Sequence, residues 1–126
     1  MGETLKLAVP TMGAAGLGSE RSGHFGHCDC FTLVDIADGA IVGTSEVLNL
    51  PHEEGGCLRP VGLLVDAGAD AIVAAGMGSR PLAGFNQAGL TVYFENQMRL
   101  VGDAAKLVAE GRAPVMGIEN ACNHHE

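Results

Sequence analysis

The chain has no tryptophan, one tyrosine and four phenylalanines in 126 residues, so aromatic side chains make up only 4% of it. A core must then be built from Val, Ala, Leu and Ile, which favours helices layered on a sheet. Basic residues are also scarce: seven Lys and Arg stand against fifteen Asp and Glu, a formal net charge of -8. An acidic surface of this kind repels phosphate backbones, which argues against a nucleic-acid partner. No stretch approaches the roughly 18 consecutive apolar residues that would mark a membrane span, so no membrane partner is expected. The first residues, Met1-Gly2-Glu3-Thr4-Leu5-Lys6, carry an acid where a signal peptide is basic, and a cytoplasmic location is the simplest expectation. Four cysteines are too few for a disulfide scaffold in a chain of this length. Clustered thiols in a reducing compartment point instead to metal or redox chemistry.

The length suits one domain. Leu5 to Val9 reads as a short apolar strand stopped by Pro10. A long loop follows, bearing Gly13, Gly16, Gly18, Gly23 and Gly26, and loops of such length in compact domains are usually functional or disordered. Phe31 to Ile36 forms the next expected strand, and Asp38-Gly39 is the dipeptide of a type I′ turn that returns the chain antiparallel over Ala40 to Val47. In the second half, Leu58 to Ala67 reads as a helix with Val61, Leu64 and Val65 inward and Gly68 past its end. Ala71 to Ala75 lacks alternation, as a strand buried on both faces does. A short helix is expected over Pro81 to Gln87, ending at Gly89, then a fifth strand over Leu90 to Phe94. A last helix over Met98 to Glu110 lines up Val101, Ala104, Ala105 and Val108 and stops at Gly111. These elements imply an α/β fold: a three-strand antiparallel meander followed by αβαβα, making a five-stranded mixed sheet with helices on both faces, a ribonuclease H-like layer. The domain is drawn at 1–111, with 112–126 as a flexible Cys/His-containing tail of little periodicity.

The chemistry is concentrated in three loops. Ser22-Gly23-His24-Phe25-Gly26-His27-Cys28-Asp29-Cys30 holds two imidazoles and two thiols directly ahead of the second strand, and those ligand types suit copper, zinc and iron-sulfur species. His52-Glu53-Glu54-Gly55-Gly56-Cys57-Leu58-Arg59 places a thiol near a helix N-terminus, where the dipole and unpaired N–H groups favour thiolate. Gly76-Met77-Gly78-Ser79-Arg80 is a glycine-rich turn whose N–H groups can form an anion-binding nest. Arg21, Arg59 and Arg80 put one guanidinium in or beside each loop, three of the seven basic residues of the chain. Where such loops meet at one sheet end, soft ligands and cationic donors together fit an anionic metal-sulfide cluster better than a lone cation.

Each residue also has a plainer reading. Cys30 shares a strand face with Thr32, Val34 and Ile36, and buried cysteine acts as a small hydrophobe, so core packing is expected there. Cys28 and Cys57 stand open between ligand and inert thiol. An isolated histidine usually satisfies nearby carbonyls, but His24 and His27 flank Phe25-Gly26 beside a cysteine, which favours ligation, His24 first. Gly76 and Gly78 also suit tight strand-to-helix packing, and arginines are commonly solvated surface charges. Cys122-Asn123-His124-His125 and His52 are left open, the tail residues being read as adventitious ligands.

The order and spacing of the Ser22 to His27, His52 to Cys57 and Gly76 to Pro81 segments resemble the dinitrogenase iron-molybdenum cofactor biosynthesis family, the small carriers of the NifX and NafY type. The resemblance covers about Leu5 to Arg112, and within the family the chain looks most similar to the orange protein branch, associated with a molybdenum-copper sulfide cluster. What it implies is a ribonuclease H-like fold and a non-enzymatic role in binding, storing or delivering a metal-sulfur cluster. The expected cargo is molybdenum-copper sulfide first, with iron-molybdenum or iron-sulfur species as alternatives. Donor and acceptor proteins stay unnamed. The expected metal-contacting set is His24, His27, Cys28 and Cys57, supported by Arg21, Gly23, Phe25, Gly26, Gly56, Arg59, Gly76, Met77, Gly78 and Arg80.

Rival classes fit less well. A nuclease of this fold needs a carboxylate on its first strand, and Leu5-Lys6-Leu7-Ala8-Val9 has none. Gly13-Ala14-Ala15-Gly16-Leu17-Gly18 matches neither nucleotide-binding glycine pattern, and Cys28-Asp29-Cys30 lacks the spacing of a thiol oxidoreductase. A simple zinc or copper binding protein is the serious alternative.

Overall fold

The computed structural model describes residues 4–22, 28–48, 59–76 and 79–116, with the backbone alone described at 59, 60, 79 and 80. Five strands form one mixed sheet: β1 (Thr4–Thr11), β2 (Cys30–Ala37), β3 (Ala40–Leu48), β4 (Ala71–Ala74) and β5 (Thr91–Phe94), in the order β3-β2-β1-β4-β5. β1 pairs antiparallel with β2 and parallel with β4, and β4 pairs parallel with β5. The type I′ expectation holds, with φ of 55° at Asp38 and 78° at Gly39 turning β2 into β3.

Alternation along the strands sends side chains to two cores. Ala8, Phe31, Leu33, Ile72 and Val92 face α1 (Arg59–Asp66) and α2 (Ser79–Gln87), which contribute Leu64, Leu82 and Phe85. Leu7, Val9, Val34, Ile36 and Val73 face α3 (Val101–Ala109), whose Val101, Ala104, Ala105 and Val108 are buried as the stripe requires. Helices therefore cover both faces. β4 is buried along its whole length, which explains its lack of alternation.

Each helix ends in the same device. The amides of Ala69, Leu90 and Arg112 reach back to the carbonyls of Leu64, Phe85 and Leu107, and Gly68, Gly89 and Gly111 sit at φ of 83°, 90° and 75°. That is the Schellman arrangement, and its positive φ explains glycine at all three positions.

Four expectations need correction. β1 runs through Pro10 to Thr11 rather than stopping at the proline. Its last pair with β4 is at Ala8, so Pro10 lies past that ladder, where its missing N–H breaks none of those pairs. α3 begins at Val101, not Met98, because the Met98 amide bonds the Glu95 carboxylate and the Arg99 carbonyl accepts the Arg21 amide. In α1, Val61 and Leu64 pack inward as expected, but Val65 is exposed, and Leu63 and Ala67 join them instead. Finally, 112–116 is packed against the sheet: the Phe94 amide bonds the Pro114 carbonyl at 2.8 Å, the Met116 amide bonds the Val92 carbonyl at 2.7 Å, and Met116 is buried. Residues 117–126, with Cys122, His124 and His125, lie outside the described residues.

α3 has no side-chain N-cap; its first amides are satisfied by the loop after β1, Val101 bonding the Ser19 carbonyl at 2.9 Å and Gly102 the Leu17 carbonyl at 2.8 Å. A Cβ on Gly102 would stand 3.0 Å from that Leu17 oxygen. Gly to Ala inside a helix normally gains about 1 kcal/mol. Here the pinned carbonyl has to move, so Gly102→Ala is expected to cost about 1 kcal/mol in denaturant unfolding.

Candidate functional site

The register puts the strand-side ends of the three loops that carry the candidate ligands at one end of the sheet. Thr11 at the end of β1 pairs with Cys30 at the start of β2, and Cys30 pairs with Leu48 at the end of β3. Because β4 and β5 run parallel to β1, Ala74 and Phe94 finish at that same end. Segments 12–29, 49–58 and 75–78 are therefore all joined to it.

The described parts of the loop after β1 are held by hydrogen bonds. Met12 donates its amide to the Glu20 carbonyl at 2.9 Å, and Asp29 Oδ2 accepts the Gly13 amide at 2.7 Å. The Gly16 amide bonds Thr32 Oγ1 at 3.2 Å, and Thr32 is in turn bonded to Thr11 across the β1–β2 pair at 2.8 Å. At the far end, the Ser22 amide bonds the Pro10 carbonyl at 2.8 Å and the Asp29 amide bonds the Thr11 carbonyl at 3.1 Å. Ser22 and Asp29, on either side of residues 23–27, are thus bonded to the last two residues of β1.

Arg21, expected to offset cluster charge, is committed elsewhere. Its Nη1 pairs with Glu95 Oε1 and donates to the Met98 carbonyl at 3.0 Å, while Nη2 donates to the Glu95 carbonyl at 2.8 Å. Both side chains are nearly closed off from solvent, at 5% and 7% exposure. The Glu95 carboxylate also accepts the Gln97 amide at 2.9 Å and the Met98 amide. Burial pushes the Arg21 guanidinium below its ordinary pKa, and the Glu95 charge and hydrogen bond act in the opposite direction. Arg21 Nε is buried with no hydrogen-bond partner among the described residues. Removing one member of such a buried pair costs about 3–5 kcal/mol, because the other charge is stranded.

Cys28 is buried in the core cluster with Phe31 and Leu64, on the α1 and α2 face. Cys30 is fully buried, its Sγ donating to the Gly13 carbonyl at 3.3 Å. Neither is in a disulfide. Burial first, then the negative charge of Glu46 and a hydrogen bond with it, push the Cys30 thiol up to about 11. At neutral pH it is a protonated core group, as the strand face implied. Gly76 is half-buried just after β4. Gly23, His24, Phe25, Gly26, His27, His52, Gly56, Cys57, Met77 and Gly78 lie outside the described residues, as do the side chains of Arg59 and Arg80. Among the described residues no group of three or more His, Cys, Asp or Glu could hold a metal, and no helix is long and apolar enough to cross a membrane.

The residue the sequence reading missed is Glu95. Its signal is an acid directly after the apolar Val92-Tyr93-Phe94 run: a carboxylate at a strand end next to the core needs a cation, and Arg21 is that cation.

The raised Cys30 value carries a pH prediction. A thiol that binds its proton more tightly when folded contributes stability that is complete below its ordinary value of 9.0 and is lost as pH rises towards about 11. The melting temperature is expected to fall across that interval, and Cys30→Ala is expected to flatten the fall; a parallel decline in both proteins contradicts it.

Residues 5–111 match the family described as dinitrogenase iron-molybdenum cofactor. An uncharacterized protein of Methanocaldococcus jannaschii is 29% identical over 110 residues, covering 86% of this chain and 88% of that protein. Among solved structures, the apo form of the orange protein from Desulfovibrio gigas superposes with a TM-score of 0.77 at 22% identity, covering 90% of this chain and 93% of that one. The family match spans nearly the whole domain: the chain belongs to the dinitrogenase iron-molybdenum cofactor family.

Proposed function

We propose that this protein is a non-enzymatic carrier that binds, stores or delivers an anionic metal-sulfur cluster, with molybdenum-copper sulfide as the favoured cargo and iron-molybdenum or iron-sulfur species as alternatives. The supporting observation is that three loops bearing soft ligands and arginines are joined to one end of the sheet, in a chain whose family takes its name from a metallocluster. His24 and His27 are the proposed contacts to the metal, with Cys28 and Cys57 as thiol donors. Cys28 would have to reach the cluster from within the apolar core, where its side chain is buried.

Arg21 is spent on Glu95, so the charge of the cluster falls to Arg59 and Arg80 and to backbone N–H groups of 23–26, Gly56 and 76–78. Phe25 would supply an apolar wall. Hydrogen bonds and a few soft contacts, rather than a closed ligand shell, suit a cargo that has to be released. The work of the site is retention and transfer, with no bond made or broken in a substrate.

The test is anaerobic loading of the full chain with tetrathiomolybdate and copper(I). Uptake with a visible chromophore is expected. His24→Ala should weaken retention roughly tenfold or more, the usual scale for residues that hold or orient a metal, while His124→Ala leaves it unchanged. Equal effects would move the site to the C-terminal tract, and stoichiometric zinc without a chromophore would favour a simple zinc protein.

A further inference from the structure

The Arg21–Glu95 pair lies directly upstream of the proposed ligand loop, yet its charges face each other rather than solvent. A buried ion pair is no more stabilising than a well-packed apolar pair of the same volume, so stability alone does not account for it. What an apolar pair lacks is direction. The planar guanidinium spans the Glu95 carboxylate, the Glu95 carbonyl and the Met98 carbonyl together, and only an orientation-specific donor does that.

These contacts form part of a closed circuit. Glu95 is held to the sheet by its amide on the Ala74 carbonyl at 3.0 Å, and its carboxylate fixes the Gln97 and Met98 amides. That fixes the approach to α3, whose first amides grip the Leu17 and Ser19 carbonyls of the same loop that carries Arg21. The Arg21 amide returns to the Arg99 carbonyl at 2.8 Å. A displacement of Glu95 therefore loosens the loop at Arg21 and at Leu17 and Ser19 at once, and residue 23 follows Arg21 by two positions.

We propose that the Arg21–Glu95 pair is a positioning device for the 23–27 loop, setting where that loop leaves the sheet and thereby how long a bound metal-sulfur cluster is retained. This rests on the carrier reading above. Arg21 and Glu95 are positioning residues that act through the loop and do not touch the cargo.

The experiment loads the full-length chain anaerobically with tetrathiomolybdate and copper(I) and compares the parent with Arg21→Met/Glu95→Gln, Arg21→Lys and Lys6→Met. The double variant removes both charges while keeping volume and an acceptor for the Gln97 and Met98 amides. Lys6 pairs with Asp35 at the opposite end of the sheet and serves as the control. Release to a copper(I) chelator, visible circular dichroism of the still-loaded protein and amide exchange at Ser22 and Asp29 are read together.

Release at least tenfold faster, an altered visible dichroism and faster exchange at Ser22 and Asp29 are expected in both Arg21 variants, with Leu7 and Val34 exchanging as in the parent. Lys6→Met should behave as the parent. If the double variant fails to fold, Arg21→Lys carries the test, since it keeps the charge and loses the planar fork. Unchanged release and dichroism in the Arg21 variants, or equal acceleration by Lys6→Met, overturns the inference and leaves the carrier reading intact. A parent that takes up no chromophore overturns both.

Discussion

The arrangement depends on β1 pairing in opposite senses on its two sides, antiparallel to β2 and parallel to β4. One strand thereby brings the end of the first hairpin system and the ends of the parallel strands to the same edge of the sheet. Loops far apart in sequence then share a platform without any dedicated scaffold. The apolar content that makes this possible is mainly aliphatic: apart from Phe31 and Phe85 on the α1 and α2 face, the two cores rest on Val, Leu, Ile and Ala packed above and below β1 and β4.

Upon that platform, the loop from Met12 to Asp29 is made rigid at its base by main-chain bonds and by one buried ion pair. Its carbonyls do the capping that a side chain would normally do for α3. The loop and the helix therefore stabilise each other, and the Gly102 contact with Leu17 is tight because the two backbones meet. On the proposed carrier reading, a firmly held base suits a protein that has both to grip and to give up a cluster. Preorganised supports of this kind reduce the ordering that binding would otherwise require.

Much of the fold was legible because local rules and global fold agree. The Asp38-Gly39 turn, the glycine after each helix, the uninterrupted apolar β4 and the α3 stripe each carry their own physical signature, and each is found where those signatures lie. The misses are places where long-range contacts overrode local ones. Pro10 is tolerated because the β1–β4 ladder has already ended, the first turn expected of α3 is consumed by Glu95 and Arg21, and Arg112 to Met116 is ordered by pairing with β5 although it has no periodicity. In the site, Cys30 was readable from its strand face, but Arg21 was not. Its place in one of three loops that each carry an arginine suggested a cation for the cargo, and its partner is 74 residues away in the sequence.

The proposed carrier reading is supported by family membership, an acidic chain, and three loops whose sequences carry candidate soft ligands and which are joined to one end of the sheet. The most direct measurement is elemental and sulfide analysis, with an absorption spectrum, of the protein purified without oxygen from its native host. The account predicts molybdenum with copper, or iron, in constant ratio to the protein, together with acid-labile sulfide and visible absorption. Stoichiometric zinc with neither sulfide nor a chromophore would contradict it.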